Sequence, residues 1–140
     1  AAHINALAPR KRPFHTLNPA LARLADGRLM VYGTMGGDGQ PQTQATVFNR
    51  IQRFGLEPQA AIEMPRWLLG RTWGSASDSL KLEARFPNST IETLRAMGHE
   101  VELLTDWDES VGHAGALIRE ADGLLMGGFD PRSNGAVAAF

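Results

Sequence analysis

Residues 26–42 read DGRLMVYGTMGGDGQPQ, and the fold is most legible here. Asp26-Gly27 is a strong hairpin-turn signal between two strands. Leu29 to Gly33 (LMVYG) is an unbroken apolar run, as expected of a strand buried on both faces. On the N-terminal side of the turn, Phe14 to Ala22 (FHTLNPALA) reads as the preceding strand. On the other side Gly36, Gly37, Gly39 and Pro41 cluster, which marks Thr34 to Gln42 as loop. A helix should follow, with Pro41 near its first turn. Val47, Phe48, Ile51 and Phe54 fall at i, i+1, i+4 and i+7 on one face, and Gly55 is the expected stop.

Working outward, Pro58 to Glu63 suggests a short helix ending at Met64-Pro65, because the residue before proline is pushed out of the α region. Leu80 to Phe86 (LKLEARF) alternates apolar and polar residues with period two, a half-buried strand. Asn88 or Ser89 should cap a helix that turns Ile91 and Leu94 inward and stops at Gly98. Glu100 to Thr105, His113 to Arg119 and Leu124 to Gly128 are further strand candidates, followed by the turn-rich Asp130-Pro131-Arg132-Ser133. The opening AAHINALAPRKRP has no periodicity and reads as an extended connector. The expected fold class is α/β (α+β), a single unit over 1–140 with roughly six strands and two or three helices.

The bulk properties narrow the function. With 140 residues, 43% hydrophobic and 21% charged, the chain has the size and composition of one globular domain. Lys+Arg number 14 against 15 Asp+Glu, a net charge of −1, which gives no electrostatic case for nucleic acid or an anionic membrane surface. Arg10-Lys11-Arg12 is too short a basic run to change this and reads as a solvated turn. No apolar stretch approaches the roughly 20 residues that span a bilayer. Ala1 to Ala8 lacks the basic region and apolar core of a signal peptide. There are no cysteines, so disulfides, Cys-ligated metals and thiol catalysis are excluded. His3, His15, His99 and His113 are scattered without ligand spacing, so neither metal nor cofactor is expected. The glycine cluster matches neither a dinucleotide fingerprint nor a P-loop.

Several pieces, taken in order, resemble one family. Asn5-Ala6-Leu7-Ala8-Pro9 followed by Lys11-Arg12-Pro13 is similar to the approach to the substrate-binding segment of the γ-glutamyltranspeptidase small subunit. Gly36-Gly37 after a buried strand, AIEMPR at Ala61 to Arg66, Leu82-Glu83, Gly98-His99 and the closing GFDPRS at Gly128 to Ser133 continue the match. The stretches MGGDGQPQTQ (Met35 to Gln44) and WLLGRTW (Trp67 to Trp73) look like a γ-glutamyltranspeptidase-like bacterial branch. The resemblance implies the C-terminal portion of an αββα N-terminal-nucleophile hydrolase sandwich. It implies amide hydrolysis or acyl transfer by an N-terminal threonine whose own α-amino group is the base. Residue 1 is alanine, so the nucleophile is expected upstream.

By the same resemblance Gly36 and Gly37 form the oxyanion hole, whose backbone N–H groups stabilise a tetrahedral intermediate; as chemistry alone they read as a simple turn. Typical members hold the glutamyl carboxylate with two adjacent serines one residue after Lys-Arg-Pro, and here those positions are His15 and Thr16. Asp38 and Gln40 either line the same pocket or are plain loop residues. Arg66 and Arg71 either meet a substrate carboxylate or, as favoured, make surface or inter-subunit salt bridges. An Asp130–Arg132 pair pinning the closing turn, Trp67, Trp73 and Trp107 as core or interface anchors, an exposed His99 and a hydrogen-bonded structural His113 complete the expectations. Exposed apolar surface should seek a partner: the upstream or large subunit of the same protein, or another copy of this chain. The substrate would be a γ-glutamyl compound or another small acyl amide. The alternative is a non-catalytic homologue serving binding or assembly.

Overall fold

The computed structural model describes residues 3–72 and 76–138; Trp73, read as an anchor, lies outside them. Among the described residues seven strands form two sheets. One is antiparallel in the order β1 (Ala20–Arg23), β2 (Leu29–Thr34), β6 (Ala114–Arg119) and β7 (Leu125–Phe129). The other has the order β3 (Trp67–Leu69), β4 (Leu80–Glu83) and β5 (Val101–Leu104), antiparallel between β3 and β4 and parallel between β4 and β5. The helices are α1 (Gln40–Gln52), α2 (Pro58–Glu63) and α3 (Asn88–Ala96).

The Asp26-Gly27 turn joins β1 to β2, with Gly27 at φ 91 and the Asp26 carboxylate accepting the Arg28 N–H. The partner strand is shorter than the expected Phe14 to Ala22. Pro19 has no N–H to give a ladder, and pairing starts at Ala20 opposite Tyr32. Phe14 and Leu17 are exposed, and the segment before β1 is tied to α1 instead, through Gln40 Nε2 to the Thr16 carbonyl and Gln44 Nε2 to the Asn18 carbonyl.

Helices α1 and α2 cover one face of the larger sheet, where Met30, Ala116 and Ile118 meet Val47, Ile51, Ala61 and Ile62. Close approach of α2 depends on Gly128: a Cβ there would stand 2.7 Å from the Gln59 nitrogen. Phe54 does not join this core. The helix ends at Gln52, Gly55 turns the chain at φ 68, and Phe54 is left exposed. Arg50 caps this corner, donating to the carbonyls of Ala61, Met64 and Pro65; burial, then the nearby Arg66 and Arg132, bring its pKa down to about 10.

The opposite face of the larger sheet is apolar and open. Leu21, Val31 and Leu117 are in register across β1, β2 and β6, and they are 61%, 42% and 50% exposed. The apolar run of β2 is therefore covered on one side only within these residues, with Met30 fully buried and Val31 not.

Strand β4 corrects a second expectation. Its alternation is real, because Leu80 and Leu82 pack on Ile91 of α3. Its polar face is buried too, with Lys81 2% and Glu83 0% exposed, because each charge has partners. Lys81 donates to the Gly70 and Ser77 carbonyls and to Ser79 Oγ. Helix α3 is capped by neither Asn88 nor Ser89; the Pro87 carbonyl accepts the Thr90 and Ile91 N–H groups. Trp67 packs on the Leu80–Ile91 cluster, as an anchor should.

Candidate active site

At the end of β2 the chain turns sharply through Gly36 (φ 129) and Gly37 (φ 53), conformations that disfavour any side chain. The expected loop over Thr34 to Gln42 is in fact a single 3₁₀ turn, Gly37–Gly39, running directly into α1. The Gly39 and Gln40 N–H groups close back on the Gly36 and Gly37 carbonyls. Among the described residues no acceptor meets the N–H of Gly36 or Gly37. Two such groups side by side are what an oxyanion requires.

The turn rests on the segment Val111–His113. Gly112 (φ 88) lies so close that a Cβ on it would stand 2.5 Å from both the Met35 carbonyl oxygen and Thr34 Oγ1. A Cβ on Gly36 would in turn reach the Gly112 Cα at 3.4 Å. Met35 N–H donates to the His113 carbonyl at 3.3 Å, and the buried Thr43 hydroxyl donates to the Val111 carbonyl at 3.0 Å. Arg66 holds the same segment from below, through Nε to the Val111 carbonyl at 3.3 Å and Nη2 to that of Gly112.

Arg66 is 1% exposed, so it is neither a substrate ligand nor a surface salt bridge. It belongs to a buried ionic cluster that joins the two sheets. Arg66 pairs with Asp130 at 2.5 Å, Asp130 with Arg132 at 3.0 Å, and Arg132 with Glu83 of β4 at 2.5 Å. The expected Asp130–Arg132 pair is thus present, as the middle link of a longer chain. Burial works to raise the Asp130 pKa, but the Arg66 guanidinium and the N–H groups of Ala114 and Arg132 outweigh it and hold the carboxyl below its ordinary value. Burial likewise opposes the Arg132 charge, and Glu83 and Asp130 raise its pKa in spite of it. Trp107 closes the cluster from outside, 44% exposed, with the Arg85 guanidinium 3.5 Å and the Arg132 guanidinium 5.0 Å from its ring centre.

Two clefts flank the glycine turn. One is lined by Gly37, Asp38, Arg71 and Thr72, the other by Met35, Gly36, Thr72, Glu109 and Ser110. Arg71 Nε donates to Asp38 Oδ2 at 2.9 Å in an exposed ion pair, as favoured for a surface arginine. The Ser110 hydroxyl is buried without a hydrogen-bond partner among the described residues. So is Nε2 of His113, which corrects the expectation of a hydrogen-bonded structural histidine. His99 is exposed, as expected. The Thr16 carbonyl is brought to the start of α1 by Gln40, whereas His15 is exposed and makes no described side-chain hydrogen bond. No group of His, Cys, Asp and Glu among the described residues is arranged to hold a metal, and no helix is long and apolar enough to cross a membrane.

Sequence reasoning passed over Thr72, Glu109 and Ser110, which come from chain segments distant from the glycine pair. It did not single out Gly112 either. The one available signal was a glycine just before a strand, which alone does not say what approaches it.

The gamma-glutamyltranspeptidase family model matches residues 1–140. The chain is 63% identical over 138 residues to an oxamate amidohydrolase proenzyme of Klebsiella pneumoniae, covering 99% of this chain and 26% of that protein. It is 47% identical over 134 residues to the glutathione hydrolase-like YwrD proenzyme of Bacillus subtilis, covering 96% of this chain and 26% of that protein. The structure of a cephalosporin acylase from Bacillus halodurans superposes with a TM-score of 0.71 at 31% identity, over 99% of this chain and 25% of that one. The fold is that of part of an N-terminal-nucleophile hydrolase, and the chain spans about a quarter of the length of these two curated relatives. With the glycine turn and its two flanking clefts in place, the chain belongs to the gamma-glutamyltranspeptidase family.

Proposed function

We propose that these 140 residues act as one unit, the oxyanion-hole and substrate-pocket part of an amide hydrolase or acyltransferase. The N–H groups of Gly36 and Gly37, without acceptors among the described residues and held at positive φ on a buried shelf, carry this reading. They receive the charge of the tetrahedral intermediate, where one such donor is worth roughly 10²–10³ in rate. The nucleophile is a threonine outside these residues, released by self-cleavage of a proenzyme; the relatives named as proenzymes support this. The chain alone is inactive. Its open Leu21–Val31–Leu117 face is covered by the upstream chain or the large subunit, since apolar area of this kind gains roughly 25 cal/mol per Å² on burial.

The substrate is a small amide. The relative at 63% identity is named for oxamate, and His15 and Thr16 replace the serine pair that suits a γ-glutamyl carboxylate. Thr16 retains a hydroxyl, while His15 is bulkier and can carry charge. Substrate-pocket roles are assigned to His15, Thr16 and Asp38.

Intact mass spectrometry of the full-length gene product, under denaturing conditions, tests the proposal. Two fragments meeting at a Thr, Ser or Cys, with ammonia released from oxamate, are expected. A single uncut chain inert toward amides points instead to a non-catalytic homologue serving binding or assembly.

A further inference from the structure

We infer that Arg71 is a specificity-determining residue, presenting its guanidinium to a carboxylate carried next to the scissile amide carbonyl of the substrate. The inference rests on the hydrolase reading above and deepens it. Arg71 is the only cation among the described residues lining either cleft at the glycine turn. Its Nε is 2.9 Å from Asp38, the residue that follows Gly37 in the chain. The guanidinium therefore lies within one side chain's reach of the oxyanion N–H groups, a separation suited only to a short substrate.

The contrast with Arg66 decides which arginine is available. Arg66 is buried, and its donors go to Ile62, Val111, Gly112 and Asp130. Arg71 is 73% exposed and bonded through Nε. Among the described residues Nη1 and Nη2 have no acceptor. That free edge is the one a carboxylate meets with two parallel hydrogen bonds. An exposed Arg–Asp pair contributes only about 0–1 kcal/mol to folding, so stability does not account for it; Asp38 instead orients the fork. Asp38 and Glu109 are the other charged groups along these clefts. Without Arg71 the approach to Gly36-Gly37 would be purely anionic and would repel a carboxylate.

The test compares two amides on the mature full-length enzyme: oxamate, and pyruvamide, in which an uncharged acetyl group replaces the carboxylate. Arg71→Ala should lower kcat/KM for oxamate about 10- to 100-fold, the range of a lost charge-assisted contact, chiefly through KM. Pyruvamide turnover should stay within about threefold, and Arg71→Lys should recover part of the oxamate loss. Equal losses on both substrates, no loss on either, or a wild type that prefers pyruvamide overturn the inference. A wild-type enzyme that is processed yet hydrolyses neither amide overturns the hydrolase reading and this one with it, and the unsubstituted control alone reveals that case.

Discussion

Replacing Glu83 by Gln removes the anion on which the buried cluster depends while keeping size and shape. Glu83 is 0% exposed. Its carboxylate accepts from Arg132 Nε and Nη2 at 2.5 Å each, from Arg85 Nη2 at 3.1 Å, and from the N–H groups of Arg66 at 2.8 Å and Asp108 at 3.1 Å. After the change Arg132, whose side chain is 0% exposed, keeps only Asp130 as an ionic partner among the described residues. Breaking a buried pair from one side costs about 3–5 kcal/mol, because the remaining charge is stranded away from water. Urea unfolding of the full-length protein measures the loss, and Asp26→Asn supplies the comparison. The Asp26–Arg28 pair has side chains 53% and 26% exposed, so its removal should cost no more than about 1 kcal/mol. The double substitution Glu83→Gln with Arg132→Met should recover a substantial part, since the stranded cation is then gone. If Glu83→Gln proves no costlier than Asp26→Asn, the cluster does not hold the sheets together and the reasoning fails.

Other consequences follow for activity and pH. Gly36→Ala forces a side chain to φ 129 against Gly112 and should cut kcat of the mature enzyme about 10²-fold or more; activity within threefold of wild type refutes an oxyanion role for this turn. The Asp130 carboxyl is held below its ordinary value in the folded state. Its stabilisation should therefore be fully present above about pH 4 and lost as pH falls through the folded-state pKa. Acid titration of Asp130→Asn should give a less stable protein whose stability falls less steeply below pH 4. Changing His15 and Thr16 together to serine should raise turnover of γ-glutamyl substrates, as read by release of p-nitroaniline from γ-glutamyl-p-nitroanilide. No increase in an otherwise active enzyme removes the specificity role given to that pair.

The periodicities were sound guides to local structure because they report local geometry. Asp26-Gly27 makes its hairpin, α2 spans Pro58–Glu63 as the Pro58 start and Met64-Pro65 stop require, and Gly55 and Gly98 end their helices at positive φ. The family resemblance rested on short motifs in order along the chain, and the glycine pair it singled out stands at the centre of the candidate site. Three things depended on partners far away in sequence. The alternation of β4 is real, yet Lys81 and Glu83 point into the protein; no local pattern shows that Arg132, 49 residues on, will neutralise Glu83. The strand β3 was missed because three residues carry too little pattern, and its place is set by pairing with β4. The clefts beside Gly36-Gly37 combine Asp38, Arg71, Thr72, Glu109 and Ser110, side chains that become neighbours only when both sheets close around the ionic cluster. The sequence by itself determined most of the elements, through contacts a few residues apart, and the family, through short motifs in order. Tertiary structure alone decided which charges are buried, which arginine remains free, and which sheet face is left open, because burial and pairing are set by packing between distant segments.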